Sequence, residues 1–169
     1  MTEDRLVSRI TEYAYRLLAA KPRSESELRD RLIQKKWDEP EVMLEAVDQV
    51  ISRLKELRYI NDGLFAYDFV KSKVQARPLG KARVARDLAR RKVSRETADE
   101  AINLVFDPAT EEGLLDRAVE RRLRIKGLPE SREETKKLFD HLMRLGFSYD
   151  LINKKLRALK RDALDEDTA

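Results

Sequence analysis

The side chains of this sequence that could act on a partner are mostly basic, and they are concentrated near the middle of the chain. Residues 77–95 contain eight lysines and arginines and a single acid. On a helix of about 100° per residue, the apolar residues of this segment point one way. Its opposite side carries three arginines: Arg83, Arg86 and Arg90. Such a face predicts contact with a polyanion or with an acidic protein surface.

Other cations extend this candidate contact surface. Arg117, Arg121 and Arg124 form a second stripe on a later helix, opposite Leu115 and Val119. The candidate residues for binding a partner or phosphate groups are Arg77, Lys81, Arg83, Arg86, Arg90, Arg91, Arg117, Arg121 and Arg124.

The charge reverses immediately after the basic segment. Residues 96–116 contain seven acids and neither lysine nor arginine. Of the three helices that occupy equivalent places in the chain, only the central one is uniformly basic on its polar side. Solubility does not require basic and acidic residues to be separated this sharply along the chain. The separation indicates that the protein presents an electrostatic field to a charged partner.

Composition excludes several classes of protein. The chain has 169 residues, of which 40% are charged, with a net charge of +4 and a pI near 9.3. The lack of cysteine excludes disulfides, thiolate metal sites and cysteine nucleophiles. The sequence shows neither a signal peptide nor an apolar run of membrane-spanning length, so we expect a soluble cytoplasmic protein that does not bind membranes.

Catalytic and metal-binding motifs are missing from the sequence. It has no phosphate-binding glycine loop, no Gly-x-Ser-x-Gly motif and no histidine and carboxylate set at metal-ligand spacing. His141 is the only histidine, and the pair Glu111 and Glu112 fits the first turn of a helix. We therefore predict no catalytic residue, no metal, no cofactor and no enzymatic activity.

Apolar residues recur at helical spacing from one end of the chain to the other, and turn signals separate the segments. Ser24, Ser94 and Ser131 are predicted N-caps, and Glu27 completes a capping box with the first of them. Pro40 is predicted to lie in the first turn of the third helix. No useful stretch alternates with a period of two, so we expect no sheet.

The helices repeat in threes. Three apolar triplets share the spacing i, i+4, i+9, and they are Leu28, Leu32, Trp37; Val84, Leu88, Val93; and Leu138, Leu142, Phe147. We predict an all-α fold of three tandem three-helix repeats, at residues 8–60, 61–108 and 109–161, with flexible termini at 1–7 and 162–169. Such repeats contact their neighbours, which predicts an elongated, curved array.

Trp37 and Phe147 could stack on nucleic-acid bases. Val93 occupies the same place in the central repeat and cannot stack, so the pattern favours packing in the core.

Four short motifs, taken together and in order, are similar to those of the RecX regulatory proteins. They are Ser24-Glu25-Ser26-Glu27-Leu28 with Leu32; Tyr59-Ile60-Asn61-Asp62 with Phe65-Ala66; Gly80-Lys81-Ala82-Arg83-Val84 with Asp87-Leu88; and Leu145-Gly146-Phe147-Ser148. The resemblance covers about residues 13–159. Lys36, Arg58 and Lys92 depart from it, because the family often has glycine there and only Gly146 keeps it.

The resemblance implies a bacterial cytosolic modulator of the RecA recombinase without enzymatic activity of its own. It implies a monomer that binds along the groove of the RecA filament on single-stranded or duplex DNA. There it would limit filament growth and suppress strand exchange, ATP hydrolysis and coprotease function, and so modulate recombination and the SOS response.

A stand-alone DNA-binding regulator is the alternative hypothesis, because three-helix units can resemble helix-turn-helix modules. That function needs base-reading side chains at the start of a recognition helix. The predicted third helices begin with Glu41, Glu96 and Tyr149, and the two glutamates are poor neighbours for phosphate groups.

Overall fold

The computed structural model of the protein describes residues 2–37 and 42–166, with the backbone alone at 2–3 and 162–166. All regular structure in this part of the chain is helical, which confirms the predicted fold class. Its helices are α1 (Thr2–Ala20), α2 (Glu25–Gln34), α3 (Met43–Glu56), α4 (Asp62–Ala76), α5 (Lys81–Arg90), α6 (Arg95–Val105), α7 (Pro108–Lys126), α8 (Arg132–Arg144) and α9 (Tyr149–Glu166).

Local capping determines where several helices begin. The Ser24 hydroxyl accepts from the backbone N–H of Glu27, and the Glu27 carboxylate accepts from the backbone N–H of Ser24. Ser131 makes the same reciprocal pair at the start of α8, and Ser94 Oγ accepts from a backbone N–H in the first turn of α6. Each box satisfies N–H groups that a helix leaves without an internal partner, so the predicted caps are confirmed.

The repeat spacing correctly identified buried positions. The first two members of every triplet are at most 3% exposed, and they are Leu28, Leu32, Val84, Leu88, Leu138 and Leu142. The third members Val93 and Phe147 are also buried, whereas Trp37 is half-buried. Three tandem three-helix repeats therefore build this chain.

Packing groups the helices into two compact units. The first contains the residues through Asp68 together with Leu88–Glu100, and the second contains Phe69–Asp87 together with the residues from Ala101 onward. The central repeat thus contributes to both units. This division follows because a small helical repeat buries its apolar side against a neighbour and not within itself. The predicted repeat boundaries remain predictions.

The structure describes helix within both of the predicted flexible termini, 1–7 and 162–169, and their flexibility remains a prediction. Helix α1 begins at Thr2, and Leu6 is fully buried because it continues the apolar stripe one turn before Ile10. At the other end, α9 extends to Glu166 and not to residue 161.

Helical spacing of apolar residues also predicts Leu57 and Met143 to face inward, and both of these predictions are wrong. Leu57 is 46% exposed because α3 ends at Glu56 and the helical spacing no longer applies to it. Met143 is exposed because it lies about 100° around α8 from Leu142. The prediction for Pro40 lies outside the described residues, as does Glu41.

Candidate functional site

The basic face of α5 is exposed and keeps its positive charge. Val84 and Leu88 are completely buried beneath it. The Arg83 side chain is 40% exposed, and its Nε lies 3.2 Å from Asp87 Oδ1 one turn further on. Arg86 is exposed and donates through Nε to its own helix at 3.2 Å, and Arg90 is exposed as well. Within α5 itself, Asp87 is the only carboxylate, against these three arginines.

Two glycines fix where this face begins. Gly80 N donates to Leu145 O at 2.9 Å and Ala82 N donates to Gly146 O at 3.2 Å, so the first turn of α5 lies directly against the end of α8. A Cβ added at Gly80 would meet the Gly146 carbonyl at 2.3 Å. Gly146 itself has a φ of 93°, and a Cβ there would lie 2.3 Å from Arg83 N. Backbone contact therefore sets the position of Arg83.

Lys81, at the start of the same helix, is held by its own unit. Its Nζ lies 3.1 Å from Glu111 Oε2 in the first turn of α7 and 6.0 Å from the centroid of the Phe106 ring. This ion pair neutralises the ammonium group, so Lys81 contributes less to a contact surface than the sequence suggested.

Arg91 is also a structural residue. Its Nε lies 2.6 Å from Glu27 Oε1, its Nη2 donates to Pro22 O at 2.9 Å, and its guanidinium lies 5.0 Å from the centroid of the Phe65 ring. The side chain is only 26% exposed. Arg91 therefore joins the turn after α5 to the start of α2 within the first unit, and this geometry does not support its prediction as a partner contact.

The same joint contains more polar contacts. Ser24 Oγ donates to the carbonyl oxygen of Arg91, and Lys92 pairs with Asp30 on α2. Lys92 lies in the left-handed region with a φ of 57°, which turns the chain towards α2. Glu27 and Asp30 are the equivalents of Arg83 and Arg86 in the repeat register. The acids of the first repeat therefore hold this joint, whereas the side chains of the equivalent arginines, Arg83 and Arg86, make their contacts within α5.

A half-buried carboxylate completes the start of α2. Asp62 Oδ1 accepts from Glu25 N at 2.8 Å, which supplies one of the donors of the first turn with a partner. Partial burial raises the pKa of Asp62, although this hydrogen bond opposes the change. Asp62 therefore acts in the packing of the first unit.

The second predicted stripe has the exposure that a contact surface needs. Asp107 caps α7 by accepting from Thr110 N at 2.6 Å, and Leu115 and Val119 bury the apolar side of the helix. The arginines of the opposite side are exposed and form no ion pair with any described residue: Arg117, Arg121 and Arg124. Arg77, after α4, is exposed in the same way.

A third group of exposed cations lies on α9 and was not among the candidate residues predicted from the sequence. Arg157, Lys160 and Arg161 are exposed and fall within about 100° of one another around that helix. A helical projection of residues 149–161 would have found them. Lys154 and Lys155, on the same helix, are paired with Glu112 and Asp116 of α7.

The titratable groups offer little to catalysis. Burial lowers the pKa of the half-buried His141, and the charges of Arg122 and Arg144 lower it further. In residues 2–37 and 42–166, no three histidine, aspartate or glutamate side chains are grouped to hold a metal ion. Every helix in the described ranges is too short or too polar to cross a lipid bilayer.

Three domain models of one family match this chain in order. They describe the first, second and third three-helix domains of RecX, and they match residues 11–54, 61–102 and 110–156. These ranges contain the three sequence triplets.

Comparison with individual proteins identifies the same family as the domain models. The chain is 34% identical over 152 residues to the Regulatory protein RecX of Streptomyces lividans, covering 90% of this chain and 76% of the relative. It is 27% identical over 161 residues to that of Clostridioides difficile, covering 93% and 71%. Its fold is similar to the crystal structure of RecX from Lactobacillus salivarius, with a TM-score of 0.80, 20% identity and coverage of 93% and 98%. This chain therefore belongs to the RecX family of regulatory proteins.

Proposed function

We propose that this protein binds the filament that RecA forms on DNA and inhibits the recombinase, ATPase and coprotease activities of RecA. It acts as a cytoplasmic monomer without catalysis of its own, and it thereby modulates recombination and the SOS response. Membership of the RecX family supports this function.

The exposed basic faces of α5 and α7 are the surfaces proposed to contact the filament. The observation that carries the proposal is that the side chains of Arg83 and Arg86 make their contacts within α5 and remain accessible. Their equivalents in the first repeat, Glu27 and Asp30, are instead paired with Arg91 and Lys92. Arg83 and Arg86 therefore do not take part in the ion pairs that join the turn after α5 to α2. Both acidic protein surface and DNA phosphate groups suit such a face, because guanidinium groups bind carboxylate and phosphate oxygens in pairs.

Titration of ATP hydrolysis tests the proposed function. The protein is added in steps to RecA assembled on single-stranded DNA, and the rate of ATP turnover is followed. A fall at protein amounts far below that of RecA indicates that filament ends are blocked, and a fall near saturation indicates coating along the filament. Unchanged turnover at saturation contradicts the proposal.

A charge reversal of α5 tests the surface. The triple variant is Arg83→Glu, Arg86→Glu and Arg90→Glu. Three exposed contacts at about 0.2–1 kcal/mol each predict roughly a tenfold rise in the protein concentration that halves RecA activity. The matched control reverses three exposed cations outside the three groups of candidate contact residues: Arg31→Glu, Arg132→Glu and Lys136→Glu. Equal potency of the two triple variants refutes the surface, provided that circular dichroism shows both are folded.

The same preparations test the alternative function. A stand-alone DNA-binding regulator would retain one duplex sequence in competition with random DNA and without RecA. Helix α6 begins with Arg95 and α9 with Tyr149. Sequence-specific retention in that assay would favour the alternative over the filament.

A further inference from the structure

Equivalent positions of successive repeats are joined at two places in the fold. In the first unit the Ser24 hydroxyl donates to the carbonyl oxygen of Arg91, and in the second unit Gly80 N donates to Leu145 O at 2.9 Å. Ser24 and Gly80 each lie four residues before the first apolar residue of their triplets, and Arg91 and Leu145 each lie seven residues after it. These contacts are named the first joint and the second joint. The fold therefore links the same two repeat positions twice, once in each unit.

Charged side chains hold the first joint. Arg91 Nε lies 2.6 Å from Glu27 Oε1, and Lys92 pairs with Asp30. The four side chains range from 18% exposed for Glu27 to 56% exposed for Lys92. Because both pairs are open to solvent, dissolved ions screen them and weaken the first joint.

The second joint is made by the backbone. Besides the bond from Gly80, Ala82 N donates to Gly146 O at 3.2 Å. A Cβ added at Gly80 would lie 2.3 Å from the Gly146 carbonyl, so the two segments are in direct backbone contact. Neutral hydrogen bonds and close packing respond little to dissolved ions, because screening acts on charges.

The turns that complete the two joints also differ in strain. Lys92 has a φ of 57° and Gly146, its equivalent, has a φ of 93°. Glycine adopts this region freely, whereas a lysine is strained there. In each turn the amide of the next residue, Val93 or Phe147, donates back to the preceding helix. The turn at Lys92 therefore gains from unwinding once α2 no longer holds it, and the turn at Gly146 does not.

We propose that the first joint is an electrostatic clasp that opens as ionic strength rises, while the second joint stays closed. Screening weakens the pairs of Arg91 and Lys92, the strained turn unwinds from α2, and the rest of the first unit stays folded. The Arg91 side chain is 26% exposed when the clasp is closed, and opening makes its guanidinium fully accessible. The clasp is thus a conformational device that controls when Arg91 is exposed.

Amide hydrogen exchange followed by NMR tests the clasp in the full-length protein. The amides of Lys92 and Val93 report on the first joint, and those of Gly146 and Phe147 report on the second. Raising sodium chloride from about 0.1 M to about 1 M shortens the Debye length from roughly 10 Å to roughly 3 Å. Two partly exposed ion pairs predict that the protection factors of Lys92 and Val93 then fall roughly fivefold. Those of Gly146 and Phe147 should change by less than about twofold, because their joint contains no ion pair between side chains.

Substitutions at one ion pair, with a matched control, assign the effect to the clasp. Asp30→Asn should lower the protection of Lys92 and Val93 roughly threefold at about 0.1 M salt and should reduce their response to salt. The double variant Asp30→Lys with Lys92→Asp reverses the pair and should restore protection, since aspartate tolerates the left-handed region. Asp48→Asn is the control, because Asp48 pairs with Arg29 in the same unit outside the clasp. It should leave both amides unchanged.

Four results would overturn the proposal. The first three are an equal response of the two turns to salt, an equal effect of Asp30→Asn and Asp48→Asn, and a charge-reversed double variant that is no better protected than Asp30→Asn. The fourth is an equal fall in the protection of Ile51, which is 2% exposed in α3, because the first unit would then be unfolding as a whole. None of these measurements uses RecA, so their outcome is independent of the proposed function.

Discussion

Replacing Gly80 with alanine is expected to destabilise the second unit strongly, because backbone atoms occupy the space that the new methyl group needs. The added Cβ would lie 2.3 Å from both the carbonyl carbon and the oxygen of Gly146, more than an ångström inside the 3.4 Å of ordinary contact. Neither atom belongs to a side chain that could move aside. The end of α8 must therefore separate from the start of α5.

The expected loss follows from the contacts that this separation breaks. The bonds from Gly80 N to Leu145 O and from Ala82 N to Gly146 O would lengthen or break, and each contributes about 0.5–1.5 kcal/mol. Overpacking adds about 1–3 kcal/mol. Together these predict that Gly80→Ala lowers the free energy of unfolding by about 2–6 kcal/mol.

Urea unfolding followed by circular dichroism measures this change, and Gly113 supplies the matched control. Gly113 lies inside α7, and a Cβ there would meet nothing within 4 Å. Gly113→Ala should therefore raise the free energy of unfolding by about 0.4–1 kcal/mol, since alanine restricts the unfolded chain and favours helix. If both variants shift stability in the same direction, or if Gly80→Ala stays within about 0.5 kcal/mol of the parent, the proposed backbone contact is refuted.

Three further predictions concern ion pairs, caps and pH. Arg91→Ala should lower the free energy of unfolding by about 1–3 kcal/mol in urea, because partly buried charge contacts are lost, whereas Arg31→Ala should change it by less than about 0.5 kcal/mol. Ser131→Ala should lower the free energy of unfolding by about 1 kcal/mol, because it removes an N-cap. Ser24→Ala should lower it by more, because the Ser24 hydroxyl also donates to the carbonyl oxygen of Arg91. Equal losses in the two variants would contradict the role of that contact. Because the pKa of His141 is lowered in the folded protein, the unfolded chain binds more protons, and the free energy of unfolding should fall as the pH drops below about 6.5. The fall should be less steep in His141→Gln. An NMR titration that places the pKa of His141 in the folded protein above 6.5 would refute this pH dependence.

The starts and buried stripes of most helices could be predicted from the sequence because they depend on neighbours within a few residues. The capping boxes at Ser24 and Ser131 join residues three apart, and the apolar spacing of each triplet spans a single helix and its following turn. Predictions failed where this local information ends. Leu57 lies just beyond the last turn of α3, and Leu6 is buried in a segment with few apolar residues.

The candidate surface was predicted less well because its cations look alike in sequence. Arg83 and Arg91 lie eight residues apart in the same basic segment, yet only Arg91 meets carboxylate and carbonyl oxygens more than sixty residues away. The contacts of Tyr13 with Lys35 and Trp37 could not be predicted from the sequence either. Lys35 and Trp37 follow α2, and they meet Tyr13 only after α1 and α2 have packed.

Helix periodicity, caps and the spacing of apolar residues depend on residues that are close together in the chain. They were therefore sufficient to predict an all-α chain of three related repeats. Packing in three dimensions determines which cations hold the fold and which remain exposed. An ion pair depends on distance in space, and packing brings Arg91 to Glu27 and Lys81 to Glu111 while leaving Arg86 exposed.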